Sequence, residues 1–263
     1  MQQVQLNGLP VTTVAGNDPI LATLKRSLEE RTSLLVTFVN PHAWRIDEET
    51  GEHARLLRQF DLVLPDGIGV VHVLRQLHDP SAGRFSFDAT SLYPPILAVL
   101  AETGGSLLVV GGKPGVAERA VARMRVAFPS VRYLACHDGY RDWALLERDI
   151  LDRQPDVVLC GMGAPHQERF MLRLKAAGYA GVLISCGGFL DQLALAERYY
   201  PAWIDRLDLR WLYRLYKEPR RLWRRYTVDY LPFLRFAFAA LARQRLLGSP
   251  GLPLPIEPSD QRN

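Results

Sequence analysis

The feature that most constrains this chain is a repeated alternation of short apolar runs, small-residue turns and helical patterns. SLLVTFVN (33–40) leads into PHAWRIDEETGEHARLLRQF, and SLLVVGG (106–112) leads into KPGVAERAVARMRVAF. PDVVLCGMG (155–163) leads into APHQERFMLRLKAAG, and AGVLISCGG (180–188) follows. Unbroken β-branched runs separated by helices mark parallel strands buried on both faces. The expected fold is therefore α/β, a Rossmann-like parallel sheet sandwiched by helices with right-handed crossovers. Ligands of such sheets bind beyond the carboxyl ends of the strands, where the glycine-rich turns of this chain fall.

The texture changes after about Pro201. Residues 205–245 carry eleven Lys/Arg against four Asp/Glu, a charge of +7, so the whole-chain net charge of +4 leaves −3 for the rest. The expected organisation is an α/β domain over 1–200, which carries the glycine-rich turns, and a basic, aromatic-rich helical appendage over 201–247. The Pro-rich tail, 248–263, is expected to be disordered. Pro219 and Pro232 should divide the appendage into two or three short helices. Arginine mixed with Trp and Tyr suits an anionic membrane surface. The α/β pattern carries no nucleic-acid fold signature, so nucleic acid is not expected.

The N-terminal residues lack the basic and apolar regions of a signal peptide, and no apolar stretch approaches the ~20 residues of a spanning helix. Cys136, Cys160 and Cys186 are odd in number and widely spaced, which argues against a disulfide framework or a zinc site. A cytoplasmic protein is the simplest reading. The six histidines show no metal-ligand spacing, read as surface or turn residues, and no Asp-x-Asp pair is present. No metal or other cofactor is expected.

Three constellations carry chemistry. In VLPDGIGVV (63–71) a lone carboxylate, Asp66, stands between Pro65 and Gly67 after an apolar run, either as a turn residue or as an acid held at a strand end. Thr37 and Asn40 end the neighbouring run, and Arg84 and Asp88 follow downstream. GGKPG (111–115) places Gly111, Gly112 and Gly115 at a strand-to-helix turn, where backbone N–H groups and a helix N-terminus suit a diphosphate. GMGAPHQE (161–168) repeats the turn with Gly161 and Gly163. Pro165 is expected at the first helical position, Glu168 reads as helix-start chemistry, and Gln167 is within reach of a sugar hydroxyl or uracil edge.

Taken in order, VTFVN, DLVLPDGIGVV, VVGGKPGVAERA, HDGY, PDVVLCGMGAPHQE and WLYRLYKEPRRLWRRY resemble the WecG/TagA/CpsF glycosyltransferase family over roughly residues 30–226. The resemblance implies a metal-independent inverting transferase that moves a sugar from a UDP-sugar to a polyprenyl-diphosphate-linked sugar at the inner face of the cytoplasmic membrane. The products of such enzymes are surface polysaccharides and teichoic acid linkage units. It implies Asp66 as general base, with Thr37 and Asn40 beside it, and Gln167, Arg84 and Tyr140 in the substrate site. Arg214, Arg221 and Arg224 are implied to hold the diphosphate. The chain departs from the family pattern at RFSFD (84–88), at FLDQLALAERYYP (189–201) and at Arg210, which leaves open whether the sugar is N-acetylmannosamine, its uronic acid or a hexose such as glucose. Homo-oligomerisation is also left open. Two other readings compete: a nucleotide-binding oxidoreductase that uses GGKPG with Asp138, and a non-enzymatic basic membrane adaptor.

Overall fold

The computed structural model describes residues 1–196, 204, 210–217 and 219–247. It opens with an element that the alternation above does not include, a hairpin of β1 (Gln2–Leu6) and β2 (Leu9–Thr13) paired antiparallel. Its turn, Asn7–Gly8, has φ of 46° and 84°, the left-handed pair that a two-residue hairpin turn requires. Leu6, Leu9 and Val11 bury one side of it, and Thr12 Oγ1 accepts the Val63 N–H at 3.0 Å.

The apolar runs form six strands: β3 (Leu34–Val39), β4 (Leu62–Pro65), β5 (Ser106–Gly111), β6 (Arg132–His137), β7 (Val157–Gly161) and β8 (Val182–Ser185). They make one parallel sheet in the order β4-β3-β8-β7-β5-β6. Alternate residues of a strand point to opposite faces. Val36, Leu64, Val109, Leu159 and Ile184 thus enter one core with α1 (Asp18–Glu30), α5 (Tyr93–Thr103), α6 (Val116–Ala127) and α9 (Phe189–Leu195). Leu35, Val63, Val110, Val158 and Leu183 enter the other core. That second layer comprises α2 (His42–Thr50), α3 (His53–Leu57), α4 (Ile68–Leu77), α7 (Trp143–Arg153) and α8 (His166–Ala176). Burial on both faces explains why the strands read as unbroken apolar runs. Cys160 and Cys186 are buried within these cores.

The foot of the sheet is clamped twice. Asp61 Oδ2 accepts the Leu35 N–H at 2.8 Å, which ties the start of β4 to β3. Asp156 Oδ2 accepts both the N–H and the hydroxyl of Ser106, at 2.7 and 2.6 Å, which ties β7 to β5.

The C-terminal segment corrects the expectation of short helices only. After α10 (Arg210–Lys217), α11 (Pro219–Arg224) and a π-helical turn (Arg225–Asp229) comes α12 (Leu231–Leu247), 17 residues long. Pro232 lies in its first turn, where no N–H is needed, and so begins this helix instead of breaking it. Helix α12 packs on α2 and α4: Phe233 and Ala237 are buried in the second core, with the Phe233 ring 4.9 Å from that of Trp44. Among the described residues no helix is long and apolar enough to cross a membrane. The expected tail, 248–263, lies outside the described residues.

Candidate active site

Strand β5 continues outward to β6, whereas β7, its neighbour on the other side, continues the opposite way to β8. Such a reversal leaves a crevice at the carboxyl ends of the strands. A cleft of about 1210 Å³ opens there and extends across the sheet to the end of β4.

At the β4 end, the backbone accounts for the Pro-Asp-Gly run. Pro65 closes the ladder opposite Val39, and the Asp66 N–H donates to Val39 O at 2.8 Å, so pairing runs one residue past the strand. Gly67, at φ 94°, then swings the chain into α4. Turn and acid are thus one device that presents the Asp66 side chain in the cleft wall. Asn40 lines the same wall, its Oδ1 accepting the His42 N–H at 3.0 Å. Arg84 and Asp88 line it too, with the Asp88 carboxylate taking the Ser86 hydroxyl at 2.5 Å. Phe87, between them, packs edge-on against Phe189 and Tyr93, with centroids 5.4 and 6.0 Å apart.

At the β5–β7 end, Gly112, Gly161, Gly163 and the exposed Tyr140 line the cleft. Gly111 lies beneath it: a Cβ there would fall 2.5 Å from Gly161 O, so glycine lets the two strand ends meet. The Gly112 N–H donates to Gly161 O at 3.1 Å, and Gly112 O accepts from Gly139 N at 2.9 Å. The free N–H groups expected of this turn are therefore not available at Gly112. The cation of the turn, Lys113, lines the cleft instead, a residue the glycine spacing did not single out. Gly115, at φ 83°, caps α6 and is not among the lining residues.

The floor between these ends holds the largest departure from expectation. Pro165 stands just before the first helical residue of α8, and Glu168 lies in the first turn as expected but is only 1% exposed. Glu168 Oε1 accepts hydrogen bonds from the Thr37 hydroxyl and from Gln167 Nε2, both at 2.9 Å. Thr37 Oγ1 lies 2.9 Å from Ser185 Oγ. Thr37 is fully buried, so it stands under the site and not in contact with the open cleft, whereas Gln167 and Ser185 line it. Burial pushes the Glu168 carboxyl above the usual carboxylate range. Its burial depends on strands contributed from residues 37 and 185, which no local pattern around residue 168 reveals.

His53, expected at the surface, is 2% exposed near the β4 end, and desolvation lowers it to about 4. The remaining wall comes from the appendage: Tyr226 of the π-helical turn, Tyr230 just after it, and Phe233 and Leu234 of α12. His42 Nδ1 lies 3.8 Å from Asp229 at that junction. Of the three expected arginines, Arg224 is exposed, 4.0 Å from Asp229, and is not among the lining residues. The side chains of Arg214 and Arg221 lie outside the described residues. Asp138, the acid an oxidoreductase reading needs, accepts the Tyr140 N–H at 3.0 Å and is not among the lining residues either. Among the described residues, no group of three His, Cys, Asp or Glu could hold a metal ion.

The cleft thus offers a carboxylate at one end, a cation near the other and polar groups between. Residues 4–247 match the model of the family described as glycosyl transferase WecG/TagA/CpsF. The chain is 29% identical, over 80% of its length and 89% of the relative's, to a UDP-Gal:alpha-D-GlcNAc-diphosphoundecaprenol beta-1,4-galactosyltransferase of Shigella boydii. It is 27% identical to an N-acetylglucosaminyldiphosphoundecaprenol N-acetyl-beta-D-mannosaminyltransferase of Bacillus subtilis, over 76% of this chain and 78% of that one. A Staphylococcus aureus protein of the same description is 24% identical over 81% and 82% of the two chains.

Proposed function

The chain belongs to the WecG/TagA/CpsF family of glycosyl transferases, and from that premise we propose that it is an inverting transferase moving a sugar from a UDP-sugar to a polyprenyl-diphosphate-linked sugar. The observation that carries this reading is the convergence of Asp66, Arg84, Lys113 and Gln167, from four separate segments, on one cleft. Strands β4 and β5 are four strand steps apart, about 19 Å at the usual spacing. That span suits an extended nucleoside diphosphate-sugar, with the nucleotide over β5 and β7 and the anomeric carbon towards β4.

In this arrangement Asp66 accepts the proton of the acceptor hydroxyl as that oxygen attacks the anomeric carbon. A base so positioned contributes roughly 10²–10⁴-fold. The UDP leaves from the opposite face, its charge offset by Lys113 and by arginines of the appendage, without a metal. Inversion follows from the single displacement. The +7 segment and the exposed Trp223, Leu234 and Phe238 favour docking on the anionic inner face of the cytoplasmic membrane, where a lipid-linked acceptor resides.

The test is a donor screen with the purified protein and a short-chain polyprenyl-diphosphate-N-acetylglucosamine acceptor. UDP-galactose, UDP-N-acetylmannosamine and UDP-glucose are offered with and without EDTA. Transfer from one donor, insensitive to EDTA and lost about 10²–10⁴-fold in Asp66→Asn, is the expected result. Binding to anionic vesicles without UDP release from any donor would favour the membrane-adaptor reading.

A further inference from the structure

The Asp66 end of the cleft has a second wall to which the transferase reading gives no role. Tyr226 and Tyr230 of the appendage line it, both partly exposed, with ring centroids 5.1 Å apart and planes at 61°. An edge-on pair of this kind makes a corner, one ring as base and the other as side. The corner is set against the Asp66 wall at two points. His42, three residues beyond the end of β3, lies 3.8 Å from Asp229, which stands between the two tyrosines in the chain. Gly69, three residues after Asp66, faces the ring of Phe233, three residues after Tyr230, and a Cβ there would lie 3.3 Å from that ring. The Leu234 N–H donates to Tyr230 O at 2.9 Å, so the corner is continuous with the docked helix α12. Tyr226 itself belongs to a π-helical turn, a form that recurs at functional sites.

The groups around the corner say what it can hold. Asp66 and Asn40 give this end a polar rim, while Ile68, Phe233 and Leu234 flank the rings with apolar surface. A diphosphate calls for cations, and the corner presents aromatic rings instead. A lipid chain calls for apolar walls alone and has no use for a carboxylate at the rim. A pyranose has both characters, an apolar C–H face and a rim of hydroxyls. We infer that Tyr226 and Tyr230 form a platform for the acceptor sugar, with its C–H face resting on a ring and its attacking hydroxyl turned towards Asp66. The inference rests on the transferase reading above and adds the surface that selects the acceptor. The tyrosines act by contact with the sugar and take no part in the proton transfer.

The experiment measures initial rates of the parent protein, Tyr226→Leu, Tyr230→Leu, Tyr226→Phe and Tyr230→Phe, with donor and acceptor varied separately. The donor is the UDP-sugar that the parent uses, and the acceptors are dimethylallyl and farnesyl esters of N-acetylglucosamine diphosphate. Each Leu variant should raise the acceptor KM about tenfold, the scale of one lost aromatic contact, and leave the donor KM within about twofold. Each Phe variant keeps the ring and should stay within about threefold of the parent. The tenfold factor should be the same for both esters. In NMR spectra of the unaltered protein, the C–H protons of the bound acceptor sugar should move upfield in the ring current, a readout that needs no substitution. Absence of transfer by the parent from any UDP-sugar would overturn the transferase reading and this one with it. Donor and acceptor KM raised alike, a loss as large in the Phe variants, or an acceptor sugar without upfield shifts would overturn the platform alone. A factor confined to the farnesyl ester would overturn it too, and would assign the tyrosines to the lipid chain.

Discussion

Phe233→Ala is the sharpest test of how the last helix is held to the parallel sheet. The Phe233 ring is 3% exposed, stands 4.9 Å from the Trp44 ring and 6.4 Å from that of Phe236, and faces Gly69 of α4. Truncating a buried Phe to Ala costs about 3–5 kcal/mol. For a chain of this size each kcal/mol moves the melting temperature by roughly 2–4 °C, so full coupling to the sheet gives a fall of about 6–20 °C. If α12 peels away before the sheet melts, the same cost appears locally, as faster tryptic cleavage at Arg235, Arg243 and Arg245. The internal control is Phe238→Ala, five residues further along the same helix, where the ring is 78% exposed. Its cost should stay within about 0.5 kcal/mol. Thermal melting with limited trypsinolysis reads both. Equal behaviour of the two variants would refute the docking of α12 through Phe233, and with it the cleft wall that Phe233 and Leu234 supply.

Gly111→Ala should prevent normal folding, because the new Cβ would meet Gly161 O at 2.5 Å. Gly163→Ala, with open space around its Cβ and only an unfavourable φ of 78°, should cost about 1–2 kcal/mol by urea titration. His53 is neutral when folded, with its value lowered to about 4 from an ordinary 6.5. The unfolded chain therefore binds the extra proton between these values, and stability should drop by roughly 3 kcal/mol as pH falls from 6.5 through 4. His53→Gln should flatten that slope in urea titrations at several pH values. A native-state thiol assay should modify at most Cys136, since Cys160 and Cys186 are buried and their thiols are held protonated, while denaturant should expose all three.

The strands were legible because burial on both faces writes an unbroken apolar run, a signal local to each segment. The Asn7–Gly8 hairpin is equally local but writes a weaker signal, because its strands are short and β1 is mostly polar. The cleft residues became legible through ordered blocks, and Asp66, Asn40, Arg84, Tyr140 and Gln167 do line one cavity. Glu168 was not legible, since an acid in the first turn of a helix reads the same whether solvated or buried. Its burial is decided by Thr37, 131 residues away. Pro232 misled for a related reason: proline at the second position of a helix and proline within one look alike until the helix start is known.

The two aspartate clamps set β3 against β4 and β5 against β7 at the end of the sheet remote from the cleft. Strand alignment is thereby fixed in part at the end away from the loops that line the cleft. A loop that carries none of the glycine contacts at the strand ends, such as 84–88, can then exchange residues while the Asp66 wall and the Lys113 turn keep their spacing. A graft of the 84–88 segment from a relative should change what the cleft accepts and leave the frame that presents it in place.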